Sequence, residues 1–284
     1  MPPVKPVSKE RILRVADGLP GAPKVLTELQ DLLKDPNSDL GTVTSLLRRD
    51  SVLTARIIRI ANGAVYNRGE PVGALEDALA RVGFAEVFRL TSLAAMMQLG
   101  DAALRYYPGS PRQRRERALL TALLMELLAT DANLDPGTAY TTGLLSSAGR
   151  VVLDVTAQRD LRIYVAPPLN EEDLIDWELN LFGITSHEAG AHVLRSWRFP
   201  ADVFVAIRDH LLHDLAVDPL PNAKLLHVAL AACDGAGFPL AGFRHYGDLY
   251  SGQARAELGL TDESVAAAVR QALFRFERMK SVLA

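Results

Sequence analysis

Six histidines, one cysteine and a knot of arginines hold most of the reactive chemistry available to this chain. The stretch His187-Glu188-Ala189-Gly190-Ala191-His192 has the outline of a zinc-binding helix, but its spacing is wrong. Two imidazoles share one helix face when they stand four residues apart. Here the fourth place after His187 holds Ala191, and His192 lies about 100° further round the helix. His210 and His213 are three apart and flanked by Asp209 and Asp214, so His210 with His213 or Asp214 has a metal-compatible spacing. The simpler expectation is a solvated helix end, where imidazole interacts well with the dipole. Cys233 has no neighbour that would depress its pKa and reads as a small buried hydrophobe. Arg112, Arg114, Arg115 and Arg117 form the densest positive charge, with guanidinium forks suited to phosphate. A solvated loop and helix start is the simpler expectation for them in an acidic chain. The chain has no G-x-x-x-x-G-K-[ST] phosphate loop and no G-x-S-x-G nucleophile elbow. Gly235 and Gly237 lack the third glycine of a dinucleotide fingerprint.

The elements that must position these residues are helical almost throughout. Val25, Leu29, Leu32 and Leu33 make one apolar face, and Leu53, Ile57, Ile60 and Ala61 make another, with Arg56 and Arg59 on its outer side. The same period runs through 75–82, 87–99, 118–129 and 265–276. The best strand candidate, 161–165, is short and runs into Pro167 and Pro168. Asp50 or Ser51 is placed to cap a helix starting near Val52, and Thr185 with Glu188 fits a capping box. Pro200 suits the first turn of a helix reaching about Leu212, and Thr261 starts the last helix, with Asp262 and Glu263 in its first turn. The apolar pattern breaks at 101–116, where two prolines and the arginines fall, and further loops are expected at 131–138 and 234–252. The chain therefore reads as an all-α protein, an N-terminal helical subdomain over 1–105 packed on a C-terminal one over 106–284.

Composition narrows the function classes. With 49% hydrophobic and 23% charged residues, the 284-residue chain falls in the ordinary globular range, which excludes wholesale disorder and collagen-like sequence. A net charge of −3 gives no global reason to bind nucleic acid. A single cysteine makes no internal disulfide, which fits a reducing compartment. No apolar run has the length of a membrane span, and the opening MPPVKPVSKERILRV lacks the apolar stretch and cleavage site of a secretory signal. The expectation is a soluble, cytoplasmic protein with neither membrane nor nucleic acid as partner.

Two stretches together resemble the HDOD family, the HD-related output domains of bacterial signalling proteins. The first, 19–84, runs from a Leu-Pro entry through a Leu-rich helix ending at Asp-Pro to R-D, L-T-A-R and I-A-N. A Pro-Val turn and a Leu-Glu-Asp-Ala helix closing on V-G follow. The second, 182–210, is similar to the family's G-I-x-x-x-E-x-G-A, Trp, Pro and A-I-x-x-H pattern. Between them, GLLSSAGRVVL at 143–153 stands where HD hydrolases carry G-L-L-H-D-I-G-K. The resemblance covers about residues 10–280. It implies a C-terminal subdomain shaped like an HD phosphohydrolase, whose active form binds divalent metal through a first histidine, an adjacent His-Asp pair and a distant aspartate.

On that resemblance the first histidine falls at Arg117, the His-Asp pair at Ser146 and Ser147, and the following lysine at Arg150. The last aspartate falls near Leu230, with Cys233 and Asp234 close by in register. Two further histidines of two-metal HD enzymes are matched by His187 and His210, while the expected partner of His210 is Leu211. Arginine at a ligand position repels a metal, and serine hydroxyls are poor ligands without carboxylate support. The implied module is therefore non-catalytic, needs no metal or other cofactor, and acts through contacts with other signalling proteins. The alternative is a sensor that takes a nucleotide or other small anion in the metal-free cleft formed by Arg117, Ser146, Ser147, Arg150, His187 and His210. Arg117 paired with an acidic neighbour, in a cleft that is simply filled, is the competing expectation for those residues. A hydrolase built on Ser146 or Ser147 with His187 or His210 as base is a third reading, and it needs a base within hydrogen-bond reach.

Overall fold

The computed structural model describes residues 8–19, 22–63, 66, 69–100, 104–160, 167, 171–211, 218–239 and 249–283. Among these, every regular element is an α-helix. The first six are α1 (Lys9–Asp17), α2 (Ala22–Lys34), α3 (Leu40–Leu47), α4 (Ser51–Ala61), α5 (Leu75–Val82) and α6 (Phe84–Gly100). The middle of the chain forms α7 (Pro111–Asp131), α8 (Pro136–Leu145), α9 (Ala148–Asp160), α10 (Glu171–Phe182) and α11 (Ser186–Ser196). It closes with α12 (Ala201–Asp209), α13 (Pro221–Gly235), α14 (Leu249–Glu257) and α15 (Asp262–Leu283).

Apolar spacing decides which faces are covered. Leu53, Ile57, Ile60 and Ala61 of α4 are all fully buried, and α4 packs on α5 and α6. On α2, Leu26 and Leu29 are the fully buried pair, with Val25, Leu32 and Leu33 at the margin of the same core. Helices α2 to α6 pack on one another, and α6 continues onto α7 and α8. Although first in the chain, α1 rests on α9 and α11. In the second half α7 is the central rod, buried along most of its length and flanked by α8, α13 and α15.

Two close approaches fix how the helices around the cleft cross. A Cβ on Gly149 would lie 1.8 Å from the Ser186 carbonyl oxygen and 2.6 Å from the Gly190 nitrogen, so α9 and α11 meet backbone to backbone. A Cβ on Gly143 would lie 2.9 Å from the Ala122 Cα, so α8 also comes close to the α7 backbone, though less tightly.

Caps mark most of the expected helix ends. Asp50 accepts from the Val52 and Leu53 amides, and the Thr185–Glu188 capping box is complete. The Ser264 amide donates to Thr261 Oγ1 at the head of α15. The expected break at 101–116 is shorter than the apolar pattern implies. Ser110 and Gln113 form a capping box, Pro111 takes the first helical position, and α7 begins there. Likewise, the expected loop at 131–138 contains the start of α8, since Asp135 caps it by accepting from the Thr138 amide. The loop expected at 234–252 loses its ends to α13 and α14, and 240–248 lie outside the described residues. Pro200 sits at the N-cap rather than in the first turn, and α12 stops at Asp209. The strand candidate 161–165 lies outside the described residues, as do Leu212, His213 and Asp214.

Candidate functional site

One small cavity gathers all six residues singled out from the sequence. Its walls include Arg117, Ser146, Ser147, Arg150, His187 and His210, together with Gln113, Arg114, Thr121 and Leu230. Its interior offers about 50 Å³ to the centres of water molecules. Each such molecule needs roughly 10–15 Å³, so there is room for a few waters or one small anion.

Arg114, Arg117 and Thr121 follow one another at offsets of three and four on α7, so a single face of that helix supplies them. Ser146 caps the C-terminus of α8, and Ser147 makes the turn into α9. Arg150 stands in the first turn of α9, whose entry is pressed against α11, the helix that carries His187. His210 caps the end of α12 and is 2% exposed, which overturns the expectation of a solvated helix end. The reason is packing: its ring meets that of His187 edge-on at 4.5 Å between centroids. His210 Nδ1 donates to the Ile207 carbonyl at 2.8 Å, and His227 Nδ1 donates to the His210 carbonyl at 2.9 Å. A carbonyl only accepts, so Nδ1 carries a proton in both rings.

Arg117 is held on the far side. Its Nη1 donates to Asp234 Oδ1 at 2.6 Å and also to the Phe238 carbonyl, with both charged side chains only 9% exposed. The acidic neighbour anticipated for Arg117 is therefore present, one turn beyond Leu230 on α13. Leu230 itself lines the cavity, and Cys233 is buried with its sulfur 3.3 Å from Thr121 Oγ1. Burial pushes the Cys233 thiol up to about 11. That fits a small buried hydrophobe rather than a nucleophile.

Ser146 Oγ donates to the Gly143 carbonyl at 2.8 Å, so its proton is committed to its own turn. An HD-type metal finds little to bind here. Asp234 is engaged by a guanidinium, the hydroxyls lack carboxylate support, and a fixed positive charge faces the space. Among the described residues no group of three or more His, Cys, Asp or Glu has metal-holding spacing. The residues present do not fit a divalent metal.

Two buried acids support the cavity, and sequence reading missed both. Asp154 on α9 accepts the backbone amides of Arg105, Tyr106 and Tyr107 at 3.0, 2.6 and 3.2 Å, which pins the segment carrying Leu104 and Tyr107 over the cleft. Glu178 on α10 accepts from the Tyr107 hydroxyl at 2.7 Å and from the Ser186 amide at 2.6 Å. Burial raises the Glu178 pKa, opposed chiefly by the nearby Arg150 guanidinium. Tyr107 is wedged among Trp177 and Phe182, which seals this flank. Only the break in apolar periodicity by Asp154 and Glu178 within buried helices signalled them.

The HDOD domain model matches residues 19–212, well over half of the chain. The chain belongs to the HDOD family. Solved structures of similar fold span essentially its whole length. An HDOD domain protein of unknown function from Geobacter sulfurreducens shares 21% identity, covers 97% of this chain and 98% of its own, and has a TM-score of 0.65. A Shewanella amazonensis protein provisionally named a phosphohydrolase shares 22% identity over 96% and 98% of the two chains, with a TM-score of 0.63. A second one from the same organism, provisionally named a metal-dependent phosphohydrolase, shares 21% over 97% and 100%, with a TM-score of 0.59. At these identities the likeness establishes the HDOD fold. No curated protein sequence matches the chain. Among the described residues of this HDOD protein, no helix is long and apolar enough to cross a membrane.

Proposed function

We propose that this HDOD protein is a non-catalytic signalling module that acts through contacts with other signalling proteins. The observation that carries the reading is the buried Arg117–Asp234 ion pair. A guanidinium there supplies the positive charge that a carboxylate of an HD site would otherwise take from a metal, without offering a coordination site or activating a water. The test is metal analysis of protein purified without chelator, run beside a phosphodiester assay with added manganese or magnesium. The expected result is far less than one metal per chain and no turnover. Stoichiometric metal with turnover that disappears in His187→Ala and His210→Ala would overturn the proposal. Failure to recover any specific partner from lysate, with folded protein as bait, counts against the protein-contact half of it.

The lining of the cavity favours one second reading, a small-anion sensor. Arg114, Arg117, Arg150, Gln113 and Ser147 bring hydrogen-bond donors around a space of about 50 Å³. That size suits a single phosphate or sulfate, and a nucleotide enters only if the cleft opens. A ligand of this kind raises the melting temperature by mass action on the folded state. Millimolar phosphate or a nucleotide panel producing no shift, or a shift that survives Arg117→Ala, removes this reading.

A further inference from the structure

A second, larger pocket lies between the two halves of the chain, away from the cleft. It offers about 460 Å³ and is walled by α5, α6, α7 and α15. Four guanidinium groups reach it, from Arg81, Arg89, Arg275 and Arg278, together with one carboxylate, Glu86. Behind them Glu126 of α7 bridges the halves, pairing with Arg89 of α6 and with Arg275 of α15 at 3.3 Å. Even with Glu86 and Glu126 both ionised, the four arginines leave excess positive charge, in a chain whose net charge is −3. Among the described residues no carboxylate pairs with Arg278, whose guanidinium lies over the Phe274 ring at 5.9 Å. The remaining wall is apolar at Val82, Leu123 and Met279, and is completed by Tyr66, whose hydroxyl donates to Glu86 Oε2 at 3.4 Å.

We propose that this pocket binds a phosphorylated small molecule of nucleotide size carrying at least two negative charges. Its volume falls within the range of roughly 300–1,000 Å³ usual for small-molecule sites. Planar guanidinium forks match phosphate oxygens two at a time, and several on one concave surface select for multiple charge. The apolar wall accommodates the uncharged portion of such a molecule. A bound polyanion shares Arg89 and Arg275 with Glu126, so occupancy bears directly on the clamp that joins α6 to α15. The inference is independent of the reading given to the cleft, because no residue is common to the two pockets.

The experiment is calorimetric titration of the full chain with ADP, with GDP and with inorganic pyrophosphate, at about 0.15 M salt so that diffuse attraction is screened. Sodium sulfate at equal ionic strength is the control. The expected result is saturable one-to-one binding by at least one probe. That binding should weaken at least about tenfold in Arg278→Glu, since a charge-assisted contact is lost and a like charge gained. Arg278 is exposed, so the variant should melt at the wild-type temperature and any loss of binding is not loss of fold. Arg114→Gln, in the cleft, should bind as the wild type does. No saturable binding by any probe at millimolar concentration overturns the proposal. So does binding that is unchanged in Arg278→Glu, abolished in Arg114→Gln, or matched by sulfate.

Discussion

At the scale of single residues, charge placement governs the cleft. Arg117 and Asp234 are both nearly enclosed, so neither can return to water when the other is removed. Asp234→Ala should therefore lose about 3–5 kcal/mol by chemical denaturation, and Arg117→Ala a comparable amount. The double replacement Arg117→Met with Asp234→Leu should recover most of that loss, because it leaves no buried charge unpaired; a strictly additive double variant would contradict the account. Glu178 gives a pH signature. Its folded pKa is raised above 4.5, so the folded chain holds that proton more tightly than the unfolded chain does. The associated stability is complete below about pH 4.5 and declines as pH rises through the folded value. Glu178→Gln should flatten the fall of melting temperature across that window, at the cost of one of the two bonds to Tyr107 and Ser186. Cys233, buried with its thiol held up at about 11, should resist a disulfide reagent at pH 8 until the protein is unfolded.

At the scale of elements, the cleft depends on how closely helices cross. His187 and Arg150 face the same cavity because α9 and α11 touch at Gly149 and Gly190. The Gly149 Cβ position is occupied by the Ser186 carbonyl, a backbone atom that cannot rotate aside. Gly149→Ala should then cost at least the roughly 1–3 kcal/mol of an overpacked core, measured by urea denaturation. It should also disturb the His187–His210 ring contact, visible as shifted imidazole resonances. A variant with native stability and unchanged resonances would show that α9 and α11 are free to separate. Gly83 ends α5 at φ 86° and ψ 152°, a region open almost only to glycine, and so sets the sharp turn into α6.

For the whole molecule, one contiguous apolar core runs from Ile12 on α1 to Met279 on α15. The halves are further joined where Thr27 donates to the Trp197 carbonyl at 2.9 Å and where Glu126 holds Arg89 and Arg275. Shared core and shared ion pairs favour a single cooperative transition. Glu126→Ala should lower that transition by about 2 kcal/mol, the scale of hydrogen bonds to a charged group. Tryptophan fluorescence, reporting on Trp177 and Trp197, and far-ultraviolet dichroism, reporting on all helices, should still coincide. Two separate transitions in the variant would mean that the halves are independent and only clamped together.

Helical period, cap chemistry and family motifs are local signals, and these the amino-acid order determined by itself. Leu53 to Ala61 faces inward because apolar residues spaced at three and four must lie on one side of a helix, whatever the neighbours are. The gathering of Arg117, Ser146, Ser147, Arg150, His187 and His210 was legible only through resemblance, since nothing in their separate segments announces a common cavity. The partner of Arg117, the burial of His210 and the roles of Asp154 and Glu178 depended on tertiary structure alone. A hydrogen bond or ion pair between residues dozens of positions apart is decided by which helices cross and at what distance. Periodicity along one helix carries no record of the helix it will meet.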